Sequence, residues 1–323
     1  MTKYKLLIFL LTLSVFANFW FAFQLKNNKN QNNINVKNIV GQDNLKELQV
    51  KYPLLSKRIL QDFPQDLLIN FLDLRQNLRA QVATFGKSFG FYFEYLPTGT
   101  SIGVNEKDEF YAASLFKLPI VMAYYYGRER LHTTEDPTVI IKPDQIDNRF
   151  GDLWRIGAGS KIKMSDAVKT ALEDSDNTAA KVVASAVAMG DFEAVYGGLD
   201  INLDVNNNGA ILTPKNYSSI LKALFFSAVL SETDSEQILN YLTQTRFSDK
   251  LVAGVPATIT VAHKIGDFVD NAGNEAFMDC GIIYVPRRPY LLCMLSKTDE
   301  QTAGSRMKAV SKTIYDYMSS TQK

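Results

Sequence analysis

Cysteine and histidine are both scarce in this chain, with two of each among 323 residues. Two cysteines cannot build a disulfide framework or a Cys-rich zinc site, and His132 and His263 leave little material for a His-based metal cluster. Charge of one sign is lacking too: 35 Lys+Arg stand against 34 Asp+Glu, a net charge of +1. That balance excludes a broadly basic nucleic-acid surface, because phosphate binding needs concentrated positive charge. No internal repeat is evident. With 46% hydrophobic and 21% charged residues, the chain is instead a globular protein of one or two domains rather than a disordered one. It is expected to work without a metal or other cofactor, as a monomer.

Cys280 and Cys293 lie in two apolar runs that flank Pro286-Arg287-Arg288-Pro289. A hairpin centred on Arg287 and Arg288 sets Cys293 opposite Ile282 and leaves Cys280 a diagonal neighbour. Diagonal partners are farther apart than a disulfide allows, so two buried free thiols are expected.

The N-terminus carries an address. Lys3 and Lys5 precede Leu6–Leu25, an uncharged, largely apolar run about long enough to span a bilayer, with aromatics clustered at its far end. An uncleaved signal anchor over residues 1–25 is expected, and cleavage after Val15-Phe16-Ala17 is the competing reading. Either exports the rest of the chain, and the anchor makes it a single-pass membrane protein with its folded domain outside the cytoplasm. Residues 26–55, rich in Asn, Lys and Gln at their start, read as a polar tether. The folded domain is expected over residues 56–323.

Within that domain the pattern is helical from Pro64, strand-like over Phe89–Leu96 and Ser101–Val104, and helical over Leu115–Tyr126. One longer helix is expected over Ser165–Ala188, with two more over Pro214–Leu230 and Ser235–Thr245. Strands Thr258–His263, Ala276–Val285 and Tyr290–Ser296 and a helix over Thr302–Met318 complete the order. Helix, strands, helices, strands, helix folds best as an α+β protein: an antiparallel sheet with terminal helices and an inserted all-helical lobe.

Three short motifs carry chemistry. In Ser114-Leu115-Phe116-Lys117 the two polar side chains share a helix face, and Pro119 marks a helix start close to Ser114. Serine is a weak nucleophile until a base takes its proton, and a lysine of lowered pKa can do so. Ser175-Asp176-Asn177 offers a proton-relaying hydroxyl and an amide that both donates and accepts, though such residues also serve as helix caps. Lys264-Ile265-Gly266 ends a strand, where glycine permits close approach of a ligand and lysine offers positive charge. Each alone has an ordinary structural explanation.

In this order, S-x-x-K, S-D-N and K-x-G resemble the motif set of the class A β-lactamases and penicillin-binding proteins. The resemblance covers about Leu68 to Met318. It implies that Ser114 is the acylated nucleophile, Lys117 the general base and Ser175 the relay to the leaving nitrogen. Asn177 would hold Lys117 and the substrate amide, and Lys264 would attract a substrate carboxylate. Backbone N–H groups of Ser114 and Asp267 would form the oxyanion hole, with Gly266 beside it. The implied partner is a small β-lactam or a cell-wall peptide, with no nucleic acid.

Two departures bear on activity. The class A Glu-x-x-Leu-Asn loop, whose Glu activates the deacylating water, has no counterpart in Gly190–Thr213, where the acids are Asp191, Glu193, Asp200 and Asp204. Ile265 replaces the usual Thr or Ser, and Asp267 adds a negative charge; both changes should weaken binding of a substrate carboxylate. Slow turnover is therefore expected. A penicillin-binding D,D-peptidase-like enzyme and a catalytically silent module of the same fold remain the alternatives. Asp204-Val-Asn206-Asn-Asn208-Gly209 begins like a calcium loop, but its twelfth position is Lys215, so it reads as a polar turn.

Overall fold

The computed structural model describes residues 51–55, 69–199, 201, 204–206, 209–269 and 273–320. Leu6–Leu25, the Asn-rich stretch after it and the residues just after Pro64 lie outside these. Among the described residues no helix is long and apolar enough to cross a membrane.

The chain first forms helix α1 (Leu72–Ala83), strands β1 (Phe89–Tyr95) and β2 (Thr100–Val104), and the two-residue strand β3 (Phe110–Tyr111). A 3-10 turn, Ala113–Phe116, leads into α2 (Lys117–Arg130), then β4 (Thr138–Ile140), β5 (Lys161–Lys163), α3 (Met164–Glu173), α4 (Asn177–Ala184) and α5 (Met189–Gly198). The strands β6 (Asp204–Asn206) and β7 (Gly209–Leu212) precede α6 (Pro214–Phe225) and α7 (Glu232–Thr243). Strands β8 (Val261–Val269), β9 (Glu275–Ile283) and β10 (Tyr290–Ser296) and helix α8 (Glu300–Ser320) close the chain.

Five strands pair in the order β2-β1-β10-β9-β8, all antiparallel, so β8 is an edge. Every residue of β1, Phe-Gly-Phe-Tyr-Phe-Glu-Tyr, is buried, because both faces of the sheet are covered. Side chains alternate along a strand. Phe89, Phe91, Phe93 and Tyr95 therefore enter one core with Leu74 and Leu78 of α1 and Met307, Val310 and Ile314 of α8. Tyr92, Leu291, Cys293 and Leu295 face the other core, shared with Leu118, Met122, Leu221 and Leu224 of the helical lobe. Each fully buried Leu or Phe contributes about 1.5–3 kcal/mol, which holds the lobe against the sheet. This is the antiparallel sheet with terminal helices and an inserted helical lobe that the element order implies.

The structure corrects the reading of Cys280 and Cys293 as free thiols: they are directly opposed on β9 and β10 and joined as a disulfide. The turn, not the strands, sets that register. Pro286 takes the second position of a four-residue turn, Arg287 takes a φ of 62°, and Arg288 N–H closes onto the Val285 carbonyl at 2.9 Å. Proline is pre-set for that position and a positive φ fits the next, so the turn centres one residue earlier than the two arginines imply. Lys264 is in turn paired with Cys280, which puts the disulfide directly behind it on the same face.

The long helix expected over Ser165–Ala188 is two helices, α3 and α4, separated at Ser175 and Asp176. The third motif lies inside β8 rather than at a strand end. Gly190–Thr213, read as a loop, contains α5 and the hairpin β6–β7. Leu54 and Leu55, at the end of the expected tether, are buried in the lobe-side core, and Leu54 N–H donates to Glu236 of α7 at 2.9 Å.

Candidate active site

Ser114 sits in the 3-10 turn and Lys117 opens α2. The turn is aimed by Ala113, a non-glycine residue at φ 44°, and tied to β7 by Ala112 N–H on the Ala210 carbonyl at 2.7 Å. A left-handed backbone at an alanine is held only where its surroundings dictate it. Pro119 lies within the first turn of α2, where its missing N–H costs nothing.

Ser175 is the second strained residue, at φ 55° in the gap between α3 and α4. Asp176 caps α4, accepting Ala179 N–H at 2.8 Å, and also accepts Leu153 N–H at 2.8 Å. Gly151, at φ 85°, allows this approach, since a Cβ there would lie 2.0 Å from Asp176 Oδ2. Of the triplet, Asp176 thus has the capping role that such residues ordinarily take, and it fixes Ser175 and Asn177 on either side.

On the edge strand β8, Gly266 packs so closely on the nucleophile turn that a Cβ would lie 3.1 Å from both the Ala112 carbonyl and Leu115 Cγ. That closeness brings Lys264 to the centre. Its Nζ donates to Ser175 Oγ at 2.7 Å and to the Ile265 carbonyl at 3.2 Å. Lys117 Nζ lies within hydrogen-bond reach of four acceptors, Ser114 Oγ at 3.0 Å, Asn177 Oδ1 at 2.8 Å, Ser175 Oγ at 3.3 Å and the Ser175 carbonyl, of which its ammonium can serve three at once. Ser114, Lys117, Ser175, Asn177 and Lys264 therefore form one hydrogen-bonded cluster, with Gly266 against it. Asp267 differs. Its side chain lies 3.7 Å from Lys250, and by strand alternation it falls on the face away from Lys264.

Burial sets the electrostatics. It lowers the Lys117 pKa to about 8, against opposing pulls from Asp176 and Asp147. It holds Lys264 well below the usual lysine range, and the positive charge of Lys117 adds to this. Lys117 is thus still mostly an ammonium at neutral pH but has a neutral minority beside a serine hydroxyl, and that fraction grows as pH rises through about 8.

Four features escape sequence reading. Asp147, buried in the loop between β4 and β5, is hydrogen-bonded to Arg149, pairs with Lys181 at 3.0 Å and accepts Asn177 Nδ2 at 3.3 Å, and its carboxyl is held well below the usual range, chiefly by Arg149. The Phe150 ring lies 5.8 Å from Lys117 Nζ and 5.8 Å from the Phe247 ring. Lys250 is buried beside Asp267. Lastly, His263 does have an acidic partner, where none is evident from sequence: its Nδ1 lies 2.7 Å from Asp279 Oδ1. Asp279 also accepts Leu251 N–H at 2.9 Å, and Ser311 Oγ donates to the Leu251 carbonyl at 2.8 Å, so this pair braces β8 against α8 from the face opposite Lys264.

Of the acids of Gly190–Thr213, the two whose side chains are described have no hydrogen bond to the cluster. Asp191 is buried and held by Arg130 at 2.7 and 3.1 Å, and Glu193 is exposed. Asp200 and the side chain of Asp204 lie outside the described residues.

The model of the beta-lactamase enzyme family matches residues 73–318. The beta-lactamases CARB-3 and PSE-4 of Pseudomonas aeruginosa are each 24% identical over 213 residues, 61% of this chain and 70% of theirs. Among solved structures, PBP-A superposes with a TM-score of 0.70 at 21% identity, over 77% of this chain and 97% of that one. A mutant of PBP-A, in an acyl-enzyme complex with penicillin G, gives 0.69 at 21% identity, over 77% and 97%. A beta-lactamase from Chitinophaga pinensis gives 0.68 at 19% identity, over 76% and 98%.

Proposed function

The chain belongs to the beta-lactamase enzyme family and is a serine hydrolase of that kind; on that premise we propose that Ser114 is its nucleophile and that its acyl-enzyme is slow to hydrolyse. The observation that carries the first part is the 3.0 Å contact of Ser114 Oγ with Lys117, a lysine whose pKa burial lowers to about 8. Neutral Lys117 takes the Ser114 proton as Oγ attacks the carbonyl carbon of a β-lactam amide. Backbone N–H groups of Ser114 and Asp267 receive the oxyanion. The C–N bond then breaks as Ser175 passes its proton to the leaving nitrogen and recovers one from the Lys117 ammonium. Lys264, 2.7 Å from Ser175 Oγ, favours that proton's departure, and Asn177 positions Lys117 and the amide.

Slow hydrolysis rests on the acids. Asp191 is engaged by Arg130 and Glu193 faces solvent, so neither supports activation of a water at Ser114. The same observation favours a second reading, a D,D-peptidase-like enzyme acting on cell-wall peptide, for which a long-lived acyl-enzyme is no defect. The location belongs to the proposal as well: the uncharged run Leu6–Leu25 supports a membrane anchor with the domain outside the cytoplasm. Labelling with a fluorescent penicillin tests the chemistry. One adduct on Ser114, lost in Ser114→Ala, is expected; label on another residue contradicts it.

A further inference from the structure

Strand β8 is an edge of the sheet, paired there with β9 alone, so the position of Lys264 depends on what grips the strand from its two faces. On one face Lys264 Nζ reaches Ser175 Oγ at 2.7 Å. The next side chain back, His263, falls on the other face. It is buried there against Asp279 of β9, with Nδ1 and Oδ1 2.7 Å apart. The second Asp279 oxygen accepts Leu251 N–H at 2.9 Å, and Ser311 Oγ of α8 donates to the Leu251 carbonyl at 2.8 Å. One buried carboxyl group thus joins the strand that carries Lys264 to a second strand, a turn and a helix.

The same group supplies charge. Lys264 is 1% exposed. Burial and the positive charge of Lys117 both press it toward the neutral amine, while Asp267 and Asp279 pull it back toward the ammonium. Asp267 is already engaged by Lys250 at 3.7 Å, a lysine that also faces Asp249 at 3.3 Å and Glu300 at 3.8 Å. Asp279 instead gives its oxygens to an imidazole and a backbone N–H, and a charge behind a buried strand is little screened. The difference matters to Ser175. An ammonium stabilises a serine oxygen that is losing its proton far better than a neutral amine does. The leaving nitrogen of an amide needs that proton, whereas a leaving group that is already a stable anion does not.

We infer that Asp279 is a positioning residue for proton delivery: bound to His263 and Leu251 behind β8, its negative charge holds Lys264 as the cation that Ser175 needs to protonate the leaving nitrogen. The inference rests on the reading of Ser114 as nucleophile and Ser175 as relay, and adds a group that touches neither the substrate nor Ser175. As the C–N bond breaks, its electron pair stays on nitrogen and the Ser175 proton joins it. The Lys117 ammonium then restores the Ser175 proton, and Asp279 keeps its charge throughout.

Two acyl donors separate this role from a merely structural one: benzylpenicillin, whose leaving nitrogen must be protonated, and a para-nitrophenyl ester, whose leaving phenolate need not be. The second-order rate of Ser114 acylation is read by intact mass for each. Asp279→Asn keeps an acceptor for Leu251 N–H and removes the charge. It should slow acylation by penicillin at least about tenfold and by the ester less than about twofold. His263→Gln leaves the charge in place and should change both rates by one common factor. Where Asp279→Asn does not fold, Asp279→Glu keeps the charge but strains the packing, so the ratio of the two rates should stay within about threefold of that of the unaltered protein. Penicillin acylation unchanged in Asp279→Asn, or both donors slowed alike, overturns the inference. So does a ratio lost in Asp279→Glu, or one that shifts in His263→Gln as far as in Asp279→Asn. If neither donor labels Ser114 in the unaltered protein, the nucleophile reading itself fails, and this inference falls with it.

Discussion

Lys264 and Ser175 are 89 residues apart in sequence and 2.7 Å apart in space, Nζ to Oγ. One comes from an edge strand and the other from a break between two helices, so the contact exists only once the helical lobe has closed on the sheet. Lys117 reaches the same oxygen from the other side at 3.3 Å. A serine hydroxyl between two buried lysines is poised to give up a proton and regain it.

Acylation should follow the ionisation of Lys117. Its neutral form is the base, so the acylation rate should rise with pH and level off above about 8. Lys117→Ala should slow acylation by about 10²–10⁴, the usual contribution of a positioned base. A pH–rate profile of single-turnover acylation measures both, and a profile flat from pH 6 to 9 is the adverse result.

Asp147 should act on that profile without touching substrate. Its negative charge raises the Lys117 pKa, and its contact with Nδ2 fixes which way the Asn177 amide points. Asp147→Asn should move the midpoint to lower pH and reduce the plateau rate roughly tenfold, the loss of about one hydrogen bond to a charged group. A purely structural role predicts a lower rate with an unmoved midpoint.

Two acids should give opposite pH dependences of stability. The Asp147 carboxyl is depressed in the folded protein, so its contribution is present at neutral pH and disappears as pH falls below about 4, where the unfolded group titrates. Asp234 is the reverse: burial and a hydrogen bond with Glu129 raise it to about 6. The folded state then binds the proton more tightly, and stability falls as pH climbs from about 4 through 6. Asp234→Asn should therefore stabilise at pH 7.5, on the order of 1 kcal/mol after solvent screening, and have little effect at pH 4. Urea midpoints at the two pH values give the answer.

The Cys280–Cys293 bond closes a short hairpin across the strands behind Lys264. Denatured protein should show no reactive thiol until a reductant is added. Replacing both cysteines with alanine should cost about 3 kcal/mol, the loop-closure value for a crosslink of this span. Two thiols titrated without reductant would restore the free-thiol reading.

The fold was legible in the sequence because it depends on local pattern and fixed order, and so was the set of side chains that the structure gathers into one cluster. Tyr290–Ser296 was bounded correctly because its apolar run is bracketed by turn residues on one side and polar ones on the other. Ser114, Lys117, Ser175, Asn177 and Lys264 stand out through the order of three short motifs and the family resemblance that this order carries, each motif being weak alone. What escaped depends on register and long-range approach. One residue in the turn at Pro286 and Arg287 decided whether Cys280 faces Cys293. A positive φ at Ser175, which no propensity favours, split one expected helix into two. Asp147, the His263–Asp279 pair and Lys250 with Glu300 join residues whose neighbours in sequence say nothing of each other.

Intact-protein mass spectrometry over time, after a single addition of a β-lactam, tests the central claim most directly. The predicted result is one acyl adduct on Ser114 that forms faster than it decays, with a burst equal to the enzyme concentration and little turnover afterwards. Ser114→Ala should show none. Rapid multiple turnover with no accumulated adduct would contradict slow hydrolysis, and an adduct that survives in Ser114→Ala would contradict the nucleophile.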